Sequence, residues 1–382
     1  GKNLSFRTYK FYYFLADLFM KKENTCLLIS ATNIQNHFIR DDLRKYLSRK
    51  FTNVYFVGDR KFSNSQHEIL WENALSRSNL FFEVILFYRL LIIFLKYRPS
   101  NVISFSPKVN IYVGIISFVL NIKHIPVVSG FGKYHNKFNK NSFIKFLFKC
   151  SLYFVNCIIV MNKDNERVLK KLFPVKKIFL IPSEGYSGRN YYSIKEFSKN
   201  NIFYISRIIK EKGIFNMLNA FIFLQKKYPH ISLDIAGEVA LNEKDLIKFN
   251  KLISNKNIIF HGEISEDYKY ELFEKVKIFA FPSVYGEGLP RVLLEAQIFK
   301  CLTITTDFSG CADAISPSMK RFICSETLES TIESLEKAIL LEDKLILNSL
   351  TEEAHNWVIE HHNIPTILDN YSKIFSSTNF IK

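Results

Sequence analysis

Short apolar runs of strand type alternate along this chain with longer stretches whose apolar residues recur at helical spacing. Strand-type runs begin at Thr25, Val54, Val102, Ile125, Cys157 and Ile178, and again at Asn201, Leu233, Asn257, Ile278 and Leu302. A strand over 25–30, a helix to about Lys50 and a strand over 54–58 form the opening of a doubly wound parallel sheet. Residues 79–97 are strongly apolar, but Glu83 and Arg89 interrupt them and Lys96 closes the run. A bilayer crossing needs about 18 uninterrupted apolar residues, so this segment reads as a buried or membrane-facing helix. Residues 186–200 are polar and irregular and read as a linker, and 352–375 read as helices. The pattern predicts an α/β chain of two domains, 1–185 and 201–350, followed by C-terminal helices over 351–382.

One stretch, 281–296, reads as the end of a strand, a tight turn and the start of a helix. Gly286 and Gly288 let the backbone bend and approach a ligand closely. Pro290 suits the first helical position, where its missing N–H costs nothing. Glu287 lies in the turn, and Glu295 lies about a turn and a half into the helix. Free N–H groups and the helix dipole favour phosphate at such a helix start. Carboxylates repel phosphate, so the two glutamates suit hydroxyl groups. Phosphates on backbone and hydroxyls on acids describe a nucleotide-sugar. Upstream, Arg207 and Lys212 follow a strand, and Gly213 allows the turn into a helix. Two cations so placed can clamp a diphosphate and stabilise it as it departs.

Composition narrows the picture. At 382 residues, 48% hydrophobic and 23% charged, the chain has material for two cores and is not of disordered type. Its six cysteines show no paired metal spacing and read as reduced thiols of a cytosolic protein. The first apolar run is short and laced with Lys and Arg, unlike a cleavable signal peptide. A net charge of +16 suits nucleic acid, anionic lipid or a phosphorylated substrate. No zinc finger or RNA-recognition signature is present, so nucleic acid is not expected as a partner. Residues 1–22 mix aromatic and basic residues, and read either as an amphipathic helix on a membrane surface or as one packed on its own domain.

The paired glutamates at 287 and 295, with their Pro-Ser, Gly and Ala flanks, resemble the signature of the retaining GT-B glycosyltransferases, the glycosyl transferases group 1 family. Thr305-Thr306-Asp307-Phe308-Ser309-Gly310-Cys311-Ala312-Asp313 is similar to the family's continuation, with Ala312 in place of a common Arg. Arg207 and Lys212 match its Gly-Arg-Leu-x-x-x-Lys-Gly element, with Ser206 replacing the first Gly. Lys108, Asn110, Tyr112 and Gly114 resemble the Lys-Pro-Asn-x-Tyr-Gly stretch of a subgroup that builds capsule and O-antigen glycans, with Val109 replacing Pro. Gly130 and Gly132 resemble that subgroup's Gly-Leu-Gly loop, with Phe131 replacing Leu. Lys300 and Leu302 stand where the family has Gly and Pro, which implies a lysine in a mildly strained left-handed helix cap.

The resemblance implies a GT-B fold, two Rossmann-like domains facing one cleft, with the C-terminal helices over 351–382 returning to the first domain. It implies transfer of a sugar, with retention, from a nucleotide-sugar (a UDP-sugar in the first instance) to a glycan acceptor on a lipid carrier. Glu287 would hold donor-sugar hydroxyls, and Arg207 and Lys212 would neutralise the leaving diphosphate. Glu295 would hold the ribose, Gly288, Leu289 and Arg291 would supply the turn on the diphosphate, and Gly262 and Glu263 would flank the base. Lys108, Asn110, Gly130 and Gly132 would form the acceptor side. No metal and no separate cofactor is expected, because protein cations neutralise the diphosphate and no Asp-x-Asp motif is present. The expected setting is cytoplasmic and peripheral, on the inner face of a bacterial cytoplasmic membrane with an anionic surface. His124 and His135 read as structural, and His261 as a packing residue. Two other readings remain: a sugar-nucleotide epimerase of the same fold, and a basic membrane- or nucleic-acid-binding protein with an inactive site.

Overall fold

The structure is a computed structural model that describes residues 23–30, 33–58, 67–70, 80–130, 142–153, 155–186, 200–308 and 310–381. The N-terminal segment, Gly132, His135 and nearly all of the linker lie outside these residues. In the first domain the elements run β1 (Glu23–Ile29), α1 (Asn33–Leu47), β2 (Asn53–Gly58), β3 (Glu68–Leu70), α2 (Leu80–Tyr97), β4 (Pro99–Phe105), α3 (Pro107–Val119), β5 (Lys123–Val128), α4 (Ser142–Tyr153), β6 (Cys157–Val160), α5 (Lys163–Leu172) and β7 (Lys177–Leu180). The second domain continues with β8 (Asn201–Ile205), α6 (Ile214–Lys227), β9 (Ser232–Ala236), α7 (Glu243–Ile253), β10 (Ile258–Phe260), α8 (Glu266–Lys275), β11 (Ile278–Phe281), α9 (Arg291–Ile298), β12 (Leu302–Thr306), α10 (Gly310–Asp313), β13 (Ile323–Cys324) and α11 (Leu328–Leu340). Two helices close the chain, α12 (Lys344–His361) and α13 (Ile364–Ser377).

The first sheet has the order β3-β2-β1-β4-β5-β6-β7, the second β10-β9-β8-β11-β12-β13, and the strands pair in parallel. Their runs of Val, Ile, Leu and Phe are buried on both faces, as a helix-covered parallel sheet requires. In each sheet the order reverses once, between β1 and β4 and between β8 and β11. Such reversals open a crevice at the carboxyl ends of the strands, where ligands bind. The two Rossmann-like domains and their α/β class therefore match the expectation. The short strands β3 and β13 were not foreseen, because three and two residues carry no readable alternation.

The division of the C-terminal helices is a correction. The expected boundary at 350 falls inside α12, whose Leu347, Leu350, Ala354 and Val358 pack into the core of the second domain. The return to the first domain begins only at α13, where Ile367, Tyr371, Ile374 and Phe375 join Leu43, Phe56 and Ile103 in one core. The crossing lies beside the start of the linker. His362 accepts from the Tyr186 amide through its carbonyl at 2.7 Å, and its Nδ1 lies 3.0 Å from Ser183 Oγ. Asn363 caps α13 by accepting from Thr366 N at 2.8 Å, with Pro365 in its first turn.

No helix among the described residues is long and apolar enough to cross a membrane. Lys300 takes a left-handed φ of 53°, as its cap position implies, and pairs with Glu352 at 2.5 Å. The six cysteines are free, and all but Cys150 are buried.

Phe375 is 1% exposed and lies between Tyr371 and Phe380 against the first sheet. Replacing a buried Phe by Ala costs about 3–5 kcal/mol. Phe375→Ala is expected to shift denaturant unfolding of the first domain by that amount while leaving nucleotide-induced stabilisation of the second domain measurable.

Candidate functional site

The carboxyl ends of β8 and β11 face each other across the second domain's reversal point. After β8 the chain runs through Ser206 and Arg207 into a single 3₁₀ turn, Lys210–Lys212. Gly213 ends this turn at φ 79° and leads into α6, and a side chain there would strike the Pro282 carbonyl. After β11 the chain forms the Pro282–Gly288 loop. The two loops are joined by Val284 N donating to Glu211 O at 2.9 Å. That junction sets Lys212 against Glu287: its Nζ donates to Glu287 Oε1, and the two side chains are 16% and 13% exposed. The Lys212 ammonium also lies over the Phe281 ring at 5.3 Å and the Tyr285 ring at 4.9 Å. Below it, the buried Tyr204 hydroxyl donates to Lys212 O at 3.0 Å.

Arg207 stands exposed at the head of the same turn, with no ion-pair partner among the described residues. Glu295, by contrast, is 2% exposed inside α9. Lys269 of α8 reaches its two oxygens at 3.0 and 3.1 Å, and Arg291 Nε approaches it at 3.1 Å. The Arg291 contact lacks hydrogen-bond alignment, which leaves this buried N–H available for an acceptor. Pro290 caps α9 in an extended conformation, one place earlier than the sequence suggested. Leu289 is half-buried on the second core. Gly262 has φ 67° and open space where a side chain would stand, and Glu263 beside it is exposed.

In the first domain, Ser106 takes φ 83° immediately before Pro107, at the carboxyl end of β4 beside the reversal point. A non-glycine residue there stores backbone strain, a common mark of functional loops. Lys108 follows in the first turn of α3 and donates to Glu83 Oε1 at 2.6 Å, and Tyr112 donates to the other oxygen of Glu83. Asn110 is a correction. It is fully buried, accepts from Ser104 Oγ at 2.6 Å and donates to Val127 O at 3.0 Å, so it braces strand ends and presents nothing to an acceptor. Ser104 Oγ also lies 2.7 Å from His124 Nε2, which confirms His124 as structural. His261 is held at 2.7 Å by Asp234.

The domains meet at the Glu287 loop. Gly130 lies against Gly286 and Gly288, and a side chain on Gly288 would collide with the Ser129 carbonyl. Asn162 is the residue that sequence reasoning left without a role. Its Oδ1 caps α5 by accepting from Asn165 N at 2.7 Å. Its Nδ2 donates across the domain boundary to Glu287 O at 2.9 Å and Gly288 O at 2.8 Å. Asp313 of the second domain accepts from Lys163 N at 2.8 Å, at the same helix start. The signal in the sequence was an Asn directly after a strand and before a helix, but nothing there marks its second partner.

Asn162→Asp keeps the cap, since Asp caps as well as Asn, and sets an acceptor against two carbonyls. A buried polar group left unsatisfied costs about 1–3 kcal/mol. A more open solution-scattering profile with little loss of melting temperature is expected; an unchanged profile would refute the latch. His124 is pushed down to about 3 from 6.5 by burial, so below pH 6.5 the unfolded chain takes up a proton that the fold refuses. Stability from this group is therefore lost as pH falls from about 6.5 towards 3, and His124→Gln should flatten that acid limb in melting curves.

Residues 193–357 match the family described as glycosyl transferases group 1. The chain is 22% identical over 319 residues to the capsular polysaccharide biosynthesis glycosyltransferase CapM of Staphylococcus aureus, covering 77% of this chain and 82% of that protein. It is 26% identical to the N,N'-diacetylbacillosaminyl-diphospho-undecaprenol alpha-1,3-N-acetylgalactosaminyltransferase of Campylobacter jejuni, covering 65% and 69%. In fold it is similar to Anabaena HepE, solved with UDP and glucose, at a TM-score of 0.70 with 13% identity, covering 92% of this chain and 99% of that one. The sucrose-phosphate synthase of Thermosynechococcus elongatus superposes at 0.73 with 14% identity, over 92% and 98%. The matched segment takes in the Lys212–Glu287 loops, the buried Glu295 and most of α12, so residues 193–357 carry the glycosyl transferases group 1 pattern within a chain of GT-B fold.

Proposed function

We propose that this glycosyltransferase moves a sugar, with retention, from a UDP-sugar to a glycan acceptor carried on a lipid diphosphate, in the assembly of a bacterial surface polysaccharide. The observation that carries the reading is the meeting of Lys212 and Glu287 in the crevice of the second sheet, open towards Arg207. HepE in complex with UDP-glucose supports the choice of base. The diphospho-undecaprenol in the name of the Campylobacter relative supports the acceptor class.

In this reading the diphosphate lies at the start of α9, where free N–H groups and the helix dipole favour it. Arg207 and Lys212 neutralise its charge. Entering sugar hydroxyls replace the Lys212 ammonium as donors to Glu287, which frees that ammonium for the diphosphate. Glu295, fixed by Lys269, and the unsatisfied Arg291 Nε hold the ribose side. The bond from the anomeric carbon to the diphosphate oxygen breaks with its electron pair on oxygen. The acceptor hydroxyl attacks from the same face, and its proton passes to the departing oxygen beside it. Lys108, steered by Glu83 at the first domain's reversal point, faces the acceptor diphosphate. Gly130 lines the same side through its contact with the Glu287 loop.

UDP without metal is expected to raise the melting temperature, since a ligand at 100 times its Kd stabilises the folded state by about 2.7 kcal/mol. Stronger stabilisation by GDP would overturn the base, and no response to any nucleotide would overturn the reading. Arg207→Ala and Glu287→Ala are each expected to lower turnover by about 100-fold or more, the scale of a lost transition-state donor, with the fold intact. Full activity in either variant would refute the assignment. Turnover is expected to be unchanged by a chelator.

A further inference from the structure

Three helices on one face of the first sheet share an apolar outer surface. α2, α3 and α4 lie side by side, and Gly114 brings α3 so close to α4 that a side chain there would meet the Ser151 carbonyl at 2.5 Å. Their inner faces supply Leu86, Leu90, Val109, Val113 and Phe148 to the core. Their outer faces are also apolar. On α2, Val84, Tyr88 and Ile92 stand 63%, 61% and 45% exposed, four residues apart along one stripe. On α3, Ile115 and Val119 continue the surface, and on α4 Phe146 does so at 60% exposed. Among the described side chains, the charges these helices carry are Arg89, Lys96, Lys108 and Lys149 against Glu83 alone, and Glu83 is bound to Lys108.

Composition does not account for this. Elsewhere in the same domain α1 and α5 present alternating charges tied by ion pairs, Asp41 with Arg44 and Lys45, Asp164 with Arg167, and Glu166 with Lys170. Scattered single apolar residues on a surface are ordinary, but a continuous set rimmed by charge marks an interaction site. We infer that the outer face of α2, α3 and α4 docks flat on an anionic lipid bilayer, its apolar stripe entering the headgroup boundary and its lysines meeting lipid phosphates. A surface of this kind binds by apolar burial together with attraction of about 1 kcal/mol for each Lys or Arg near the lipid. A second copy of the chain is disfavoured as occupant, because two such faces carry the same sign of charge. The inference rests on the lipid-linked acceptor proposed above, and places the Lys108 end of α3 at the edge of the membrane.

The test is co-sedimentation of the full chain with vesicles of phosphatidylcholine, alone or mixed with phosphatidylglycerol, at low and high salt. Binding to the anionic vesicles is expected, weakened by salt as screening requires, with little binding to the neutral ones. The triple variant Val84→Asp, Tyr88→Asp, Ile92→Asp removes only exposed side chains and is expected to lower vesicle binding by at least about tenfold, since each lost insertion and each added negative charge opposes it. Lys149→Glu should lower it to a smaller degree. Wild-type binding by the triple variant would overturn the docking face, as would no binding of the parent chain at low salt. Concentration-dependent dimers of the parent that the triple variant abolishes would assign the face to self-association instead. Melting-temperature shifts with UDP are read on the same samples: if they persist while vesicle binding is absent, the docking face fails and the donor reading stands.

Discussion

The two domains touch backbone to backbone, and the rest of the site depends on that contact. Around Gly288 the carbonyl of Ser129 leaves no room for a Cβ. The amide of Asn162 fills the remaining hydrogen-bonding capacity by donating to the carbonyls of Glu287 and Gly288. The loop that carries Glu287 is thereby held by the opposite domain through its main chain, while its side chain is held within its own domain by Lys212. Had the contact been made through the Glu287 side chain, closing the cleft and binding a donor would compete. Made through carbonyls, they proceed together.

The charge arrangement follows the same economy. Glu295 is buried with Lys269 and approached by Arg291, an ion pair that would be costly to break from one side. Glu287 is paired with Lys212 at the edge of the crevice. The two glutamates share a motif but not an environment: one is a fixed part of the helix start, the other exchangeable. The lysine that fixes Glu295 lies 26 residues earlier, on α8, at a distance in sequence no local motif spans.

Much of the fold was legible in the sequence because parallel strands buried on both faces leave dense apolar runs, and their order could be read off one after another. The second-domain site was legible because its chemistry is local: Arg207 to Gly213 and Pro282 to Glu295 are each a strand end, a turn and a helix start. The first domain resisted for a physical reason. Asn110 sits in a spacing that suggests a surface ligand, but its amide is consumed by Ser104 and Val127, which burial alone decides. The cap that Asn162 makes is local to α5, whereas its second pair of partners exists only once two domains have closed. The misplaced boundary near 350 had a readable remedy, since Asn363 followed two residues later by Pro365 is a helix start that separates α12 from α13.

The last helix completes the first domain from the far end of the chain. Residues of α13 and Phe380 cover the sheet face that α1 leaves open, and Asn101 in β4 donates to the Phe380 carbonyl. The first domain is therefore not a contiguous length of sequence, and the second lies between its two parts. On the ribosome, β1 to β7 emerge and can collapse long before their cover is made, and the second domain must be synthesised in between. The first domain's sheet stays partly uncovered on that side for the interval, so its final packing is set by the timing of translation as well as by its own residues.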